Sequence, residues 1–106
     1  MNIGIFFTIP TQLVKYFNAD TFVDENVDRK YFVKNCGTII TTNGNIWRYI
    51  IGERPTHGVR LDKAWVSNLV SKDFLDEVIY PCFSKEPEIN YFYEEKLSVN
   101  KKGKTL

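Results

Sequence analysis

Residues 3–9 form an almost unbroken apolar run, Ile-Gly-Ile-Phe-Phe-Thr-Ile, closed by Pro10. A short run of this kind, rich in β-branched and aromatic side chains, predicts a strand buried on both faces in the interior of a sheet. Pro10 lacks an N–H and so suits the first turn of a helix. Leu13, Val14 and Phe17 follow at helical spacing, up to Asn18-Ala19-Asp20. Residues 21–33 predict a second short helix, because Val23, Val27 and Tyr31 recur every four positions. The acids Asp24, Glu25 and Asp28 precede Arg29 and Lys30, the order that the helix macrodipole favours.

The strongest local signal lies in residues 37–51. Asn43-Gly44 accepts positive φ at both central turn positions, and β-branched residues crowd either side. A β-hairpin is expected there, with Trp47, Tyr49 and Ile51 on one face of its second strand and Ile46, Arg48 and Ile50 on the other. Residues 61–80 read as helical but not as one helix. At 100° per residue, Leu61, Trp65, Val66, Leu69 and Val70 gather on one side, and Phe74, Leu75, Val78 and Ile79 on nearly the opposite one. A break near Ser71-Lys72-Asp73 resolves the conflict, with Ser71 capping a second helix and Pro81 ending it. Residues 88–99 alternate Ile89, Tyr91 and Tyr93 with Asn90 and Phe92 and read as a strand.

These elements predict an α+β fold: a small antiparallel sheet that includes the 37–51 hairpin and the 88–99 strand, with helices packed on one face. The chain is 106 residues long, enough for one domain over 1–100, followed by a mobile basic tail at 101–106. No signal peptide and no run of ~20 apolar residues is present, so a soluble cytoplasmic protein is the expectation.

Charge narrows the partners. Fourteen Lys and Arg against thirteen Asp and Glu leave a net charge of +1, spread evenly over both halves. That excludes a strong basic field of the kind that duplex-binding modules carry, and also an acidic mimic of nucleic acid. Aromatic content changes the picture more. Sixteen residues are aromatic (eight Phe, six Tyr, two Trp), while alanine occurs only at positions 19 and 64. A ring that buries ~150–250 Å² contributes several kcal/mol, yet a chain this short cannot shelter all of them. Surplus rings are expected at the surface, where Tyr and Trp commonly anchor partners.

Candidate chemistry is sparse. The 52–60 loop carries Arg54, Thr56, His57 and Arg60, and its side chains suit an anion or the rim of a partner. It lacks the spacing of a phosphate-binding loop, and paired surface charges explain it as well. His57 is the only histidine and has no Ser or Cys nucleophile beside it, so no enzyme is expected. Asp24, Glu25 and Asp28, like Asp73, Asp76 and Glu77, read as solvated faces rather than as cation ligands. Cys36 and Cys82 are read as reduced thiols, and no metal or other cofactor is implied.

Two functional classes follow. The first is a protein-binding module of inhibitor, immunity or adaptor type, which occludes or bridges a protein partner through Trp47, Tyr49, Arg54, His57 and Arg60. The second is a nucleic-acid-binding module using Arg48, Arg54, Arg60, Lys101, Lys102 and Lys104, with Tyr91-Phe92-Tyr93 as a stacking platform. A homodimer is open to either.

Overall fold

The computed structural model describes residues 1–52 and 60–95. The expected tail at 101–106, most of the 52–60 loop and the end of the 88–99 strand lie outside the described residues.

Strand β1, Asn2–Phe7, occupies an interior position, as its apolar run requires. Ile3, Ile5 and Phe7 enter one core and Phe6 enters another on the opposite face. Around it lie β2 (Val27–Val33), β3 (Cys36–Thr41), β4 (Ile46–Ile51), β5 (Lys63–Ser67) and β6 (Ile89–Phe92), in the order β2-β3-β4-β1-β5-β6. Strand β1 pairs in parallel with both β4 and β5, and β5 pairs in parallel with β6. Antiparallel pairing joins only β2 to β3 and β3 to β4.

The expected small antiparallel sheet with helices on one face is therefore corrected. The sheet has six strands of mixed direction, and both faces are covered. Helix α1, Pro10–Asn18, lays Leu13 and Phe17 on the Ile3–Ile5–Phe7 face. The other face is closed by residues 70–83, with Ile79 fully buried beside Phe6. A strand that is apolar at every position needs cover on both sides, and parallel neighbours supply the connections that cross them.

Three local readings change with it. Residues 27–33 form the edge strand β2 rather than a helix, because pairing with β3 outweighs a four-residue period that β-branched and aromatic residues also satisfy. The β2–β3 turn puts Lys34 and Asn35 at φ 50° and 64°, the two positive φ values a tight hairpin of this type needs. Residues 63–67 form β5, so Ala64 and Val66 enter one core while Trp65 packs against the other. Helical structure begins only after Ser71, whose Oγ accepts the N–H of Phe74 at 3.1 Å. From there α2, Lys72–Phe74, runs into a π turn at Leu75–Ile79 and a 3-10 turn at Tyr80–Cys82. The hairpin of β3 and β4 is present, with Ile39 opposite Trp47 and Gly44 at φ 89° in its turn.

One buried carboxylate ties the chain's later part to its beginning. Glu94 is fully buried and accepts from Thr8 N–H at 2.8 Å, Thr8 Oγ1 at 2.9 Å and Ile9 N–H at 2.9 Å. Ile9 is the N-cap of α1 and has no side chain able to cap, so Glu94 satisfies donors the helix cannot satisfy itself. Asn68 Oδ1 accepts the N–H of Glu94 at 2.6 Å, and Gln12 Nε2 donates to the carbonyl of Glu95 at 2.7 Å. Replacing Glu94 by Ala leaves two N–H groups unpaired at a partly buried helix start. The expected loss is ~2–5 kcal/mol in chemical denaturation, with Glu94→Gln intermediate. A loss below ~0.5 kcal/mol for the alanine variant contradicts the capping role.

Candidate protein-docking edge

The structure separates the residues singled out in the sequence. Trp47 and Tyr49 are core residues, 6% and 0% exposed, and neither stands out as a surface anchor. The cause is register: β4 lies beside β1, which sets Trp47 next to Ile3 and Tyr49 next to Ile5 beneath α1. Tyr49 stacks on Phe7 with centroids 6.0 Å apart and meets Phe17 edge-on at 5.4 Å. Its hydroxyl donates to the carbonyl of Thr21, and burial pushes the phenol far above its usual range. Arg48 is half-buried on the other face and donates to Asn2 Oδ1 at 3.4 Å. Arg60 is exposed. Arg54, His57, Lys101, Lys102 and Lys104 lie outside the described residues.

Apart from Tyr80 in the 3-10 turn, the exposed rings among the described residues stand at the two edges of the sheet. On β6 and just after it, Tyr91 and Tyr93 are 59% and 71% exposed. On β2, Tyr31, Phe32 and Val33 stand out together. Sequence reasoning missed this second group because a helix over 21–33 would have turned Tyr31 inward with Val23 and Val27. The available signal was the density of β-branched and aromatic residues in 31–33, directly before a two-residue turn.

Among the described residues strand β2 has β3 on one side only, so its outer backbone groups meet no partner strand there. Every residue from Asp28 to Val33 is exposed. The side chains divide by face. Lys30 and Phe32 turn toward α1: Phe32 meets Phe17 at 5.5 Å, while Lys30 Nζ bonds Asp20 Oδ1 and the Phe17 carbonyl and lies 4.6 Å from the Phe17 ring centre. Arg29, Tyr31 and Val33 share the opposite face, in register with Ile40, Thr38 and Cys36 of β3. The strand is also locally positive. Lys30 is paired with Asp20, whereas Arg29 has only the neighbouring Asp28 at 3.8 Å, with both side chains well exposed. An ion pair of that kind contributes little.

Other chemistry is thin among the described residues. Cys36 and Cys82 are thiols not joined to each other; burial raises the pKa of Cys36, and Cys82 Sγ donates to the carbonyl of Val78 at 3.1 Å. No group of three or more His, Cys, Asp or Glu able to hold a metal ion occurs there. A cavity of about 300 Å³ opens where β1 and β4 end, lined by Thr8, Gly52, Leu69, Val70, Ser71 and Phe74, none of them titratable. No helix is long and apolar enough to cross a membrane among these residues. Comparison with protein-family models, curated proteins and solved structures gave no match.

The division between core and edge rings is measurable. Tyr49→Ala is expected to cost ~3–5 kcal/mol, as large-to-small changes in packed cores do. Tyr31→Ala is expected to stay within ~0.5 kcal/mol of the parent, as exposed substitutions do. Urea denaturation of the two variants checks this, and equal losses contradict the assignment.

Proposed function

We propose that this chain is a protein-binding module that accepts an extended segment of a partner protein as an added strand on β2. In this reading it acts by occupancy rather than catalysis, as inhibitors, immunity proteins and adaptors do. Its setting is the cytoplasm, where thiols such as Cys36 and Cys82 stay reduced.

The observation that carries the reading is the exposed Tyr31-Phe32-Val33 sequence on a strand whose outer edge meets no other strand among the described residues. Proteins that must avoid edge pairing use short strands, proline, bulges or charges. Strand β2 is guarded in its first half, by a bulge between Val27 and Arg29 and by the charges of residues 28–30. Its second half carries none of these devices. Strand addition draws affinity from main-chain hydrogen bonds and specificity from alternate side chains. The occupant that fits has apolar residues at alternate positions to meet Tyr31 and Val33, and an acidic residue for Arg29. Arg60, exposed but not part of β2, has no assigned role in this contact.

Photo-crosslinking tests the proposal. A benzophenone amino acid replaces Tyr31 in one variant and the exposed Asp73 in another, and both are exposed to native extract. The expected result is an adduct from position 31 alone, mapping to one extended apolar and acidic segment of a partner. Val33→Lys is expected to abolish it while leaving the melting temperature unchanged. Equal labelling from both positions, or an adduct only to a second copy of the chain, overturns the proposal.

A further inference from the structure

The turn between β3 and β4 carries a chemistry that the docking edge does not use. Of the chain's asparagines, only Asn43 precedes a glycine. At such a pair the main-chain nitrogen of the second residue can reach the side-chain amide carbon of the first, because glycine has no Cβ to crowd the approach. Asn43 and Gly44 are both exposed, so water and solvent base reach them.

The fold restrains both reacting groups. Gly44 takes φ 89°, and its N–H donates to the Thr41 carbonyl at 2.9 Å. The Asn43 side chain is tied at both ends: its Oδ1 accepts from Thr41 Oγ1, and its Nδ2 donates to the Glu25 carboxylate. Thr41 is buried, and its Oγ1 also accepts the N–H of Asn45 at 3.2 Å. Glu25 accepts from Asn45 Nδ2 at 3.0 Å to both oxygens, and the Thr42 N–H donates to the Asn26 carbonyl at 2.9 Å. The turn is thereby pinned to residues 25 and 26, which lead into β2. The Asn43 amide heads the hydrogen bonds that hold the Glu25 carboxyl below the usual carboxylate range, so Glu25 is ionised at neutral pH. A carboxylate in place of that amide has nothing to donate and meets a like charge.

We propose that Asn43 is a site of self-modification held unreacted by the native turn: when the turn opens, Asn43 converts to aspartate and isoaspartate, and its tie to Glu25 is lost. The Gly44 nitrogen, its proton lost to solvent base, attacks Asn43 Cγ. A C–N bond forms, the Cγ–Nδ2 bond breaks, and ammonia leaves with a proton from water. Water then opens the cyclic imide. Opening at Cγ gives aspartate; opening at the main-chain carbonyl gives isoaspartate, which adds a methylene to the backbone. In sum an amide and a water become a carboxylate and ammonium, with no oxidation or reduction.

Peptide mapping by mass spectrometry tests this on the full chain, incubated in warm, mildly alkaline buffer with and without concentrated urea. Conversion at Asn43, with isoaspartate among the products, is expected to run at least ~tenfold slower in the native chain, because local opening must precede attack. Glu25→Ala, which removes the acceptor of the Asn43 amide, is expected to raise the native rate ~fivefold and leave the rate in urea unchanged. Glu25→Gln keeps an acceptor oxygen and is expected to stay nearer the parent. The ratio measured on the parent chain holds whether or not the Glu25 variants fold. Equal rates with and without urea overturn the proposal. So does conversion without isoaspartate, or a native rate unmoved in a folded Glu25→Ala. Asn43→Asp is expected to melt below the parent at neutral pH, and an equal melting temperature contradicts the loss of the tie.

Discussion

The need to cover β1 on both faces organises everything else. Four of its six residues carry large apolar side chains, and five of the six are buried. A strand of this kind cannot stand at an edge or face water on one side. Strands β4 and β5 flank it, and α1 and the helical turns after Ser71 close over its two surfaces. The rings nearest to β1 are thereby spent on the interior: Phe7 alone touches Tyr16, Phe22, Tyr49 and Phe92. What remains for the surface is set by distance from β1. The cores reach the edge strands only in part, through Val27 of β2 and Ile89 and Phe92 of β6, and Tyr31, Phe32 and Tyr91 are left exposed there.

The same arrangement leaves two separate stretches of surface that differ in the groups they offer. At the β2 edge the available groups are backbone N–H and C=O, two exposed rings and Arg29, a surface suited to another polypeptide. At the end of the sheet where β4 and β5 begin, Asp24 and Glu25 stand beside the Met1 amino group and Lys63, so neither sign of charge dominates there. The Glu94 carboxylate is turned inward. It sits at the start of α1, where an external anion would otherwise be drawn, and satisfies the helix from within.

Features decided by neighbouring residues were legible in the sequence. The apolar run of β1, Pro10 at the head of α1, the Asn43-Gly44 turn and the Ser71 cap all depend on contacts within a few positions. Features decided across the chain were not. Asn35 tolerates positive φ, but Lys34-Asn35 is a weaker turn mark than Asn-Gly, and without that turn β2 reads as a helix. Residues 61–70 hold apolar side chains at helical spacing, yet β5 forms because β1 offers it a parallel edge. The surplus of rings was correctly sensed, but which of them stay outside follows from strand order. Trp47 and Tyr49 were chosen on their chemistry and Tyr31 was passed over, and the register of β4 against β1 reverses that choice. Phe22, Glu25 and Trp65, far apart in the sequence, come together only in the folded chain.

Residue-resolved hydrogen exchange on the dilute chain tests the central division between a doubly covered β1 and an open β2 edge. Amides of β1 are expected to exchange slowest, through global unfolding alone, while alternate amides of residues 28–33, those facing away from β3, exchange with almost no protection. Uniform protection along β2, at the level of β1, would mean that its outer edge is already covered and would contradict the account.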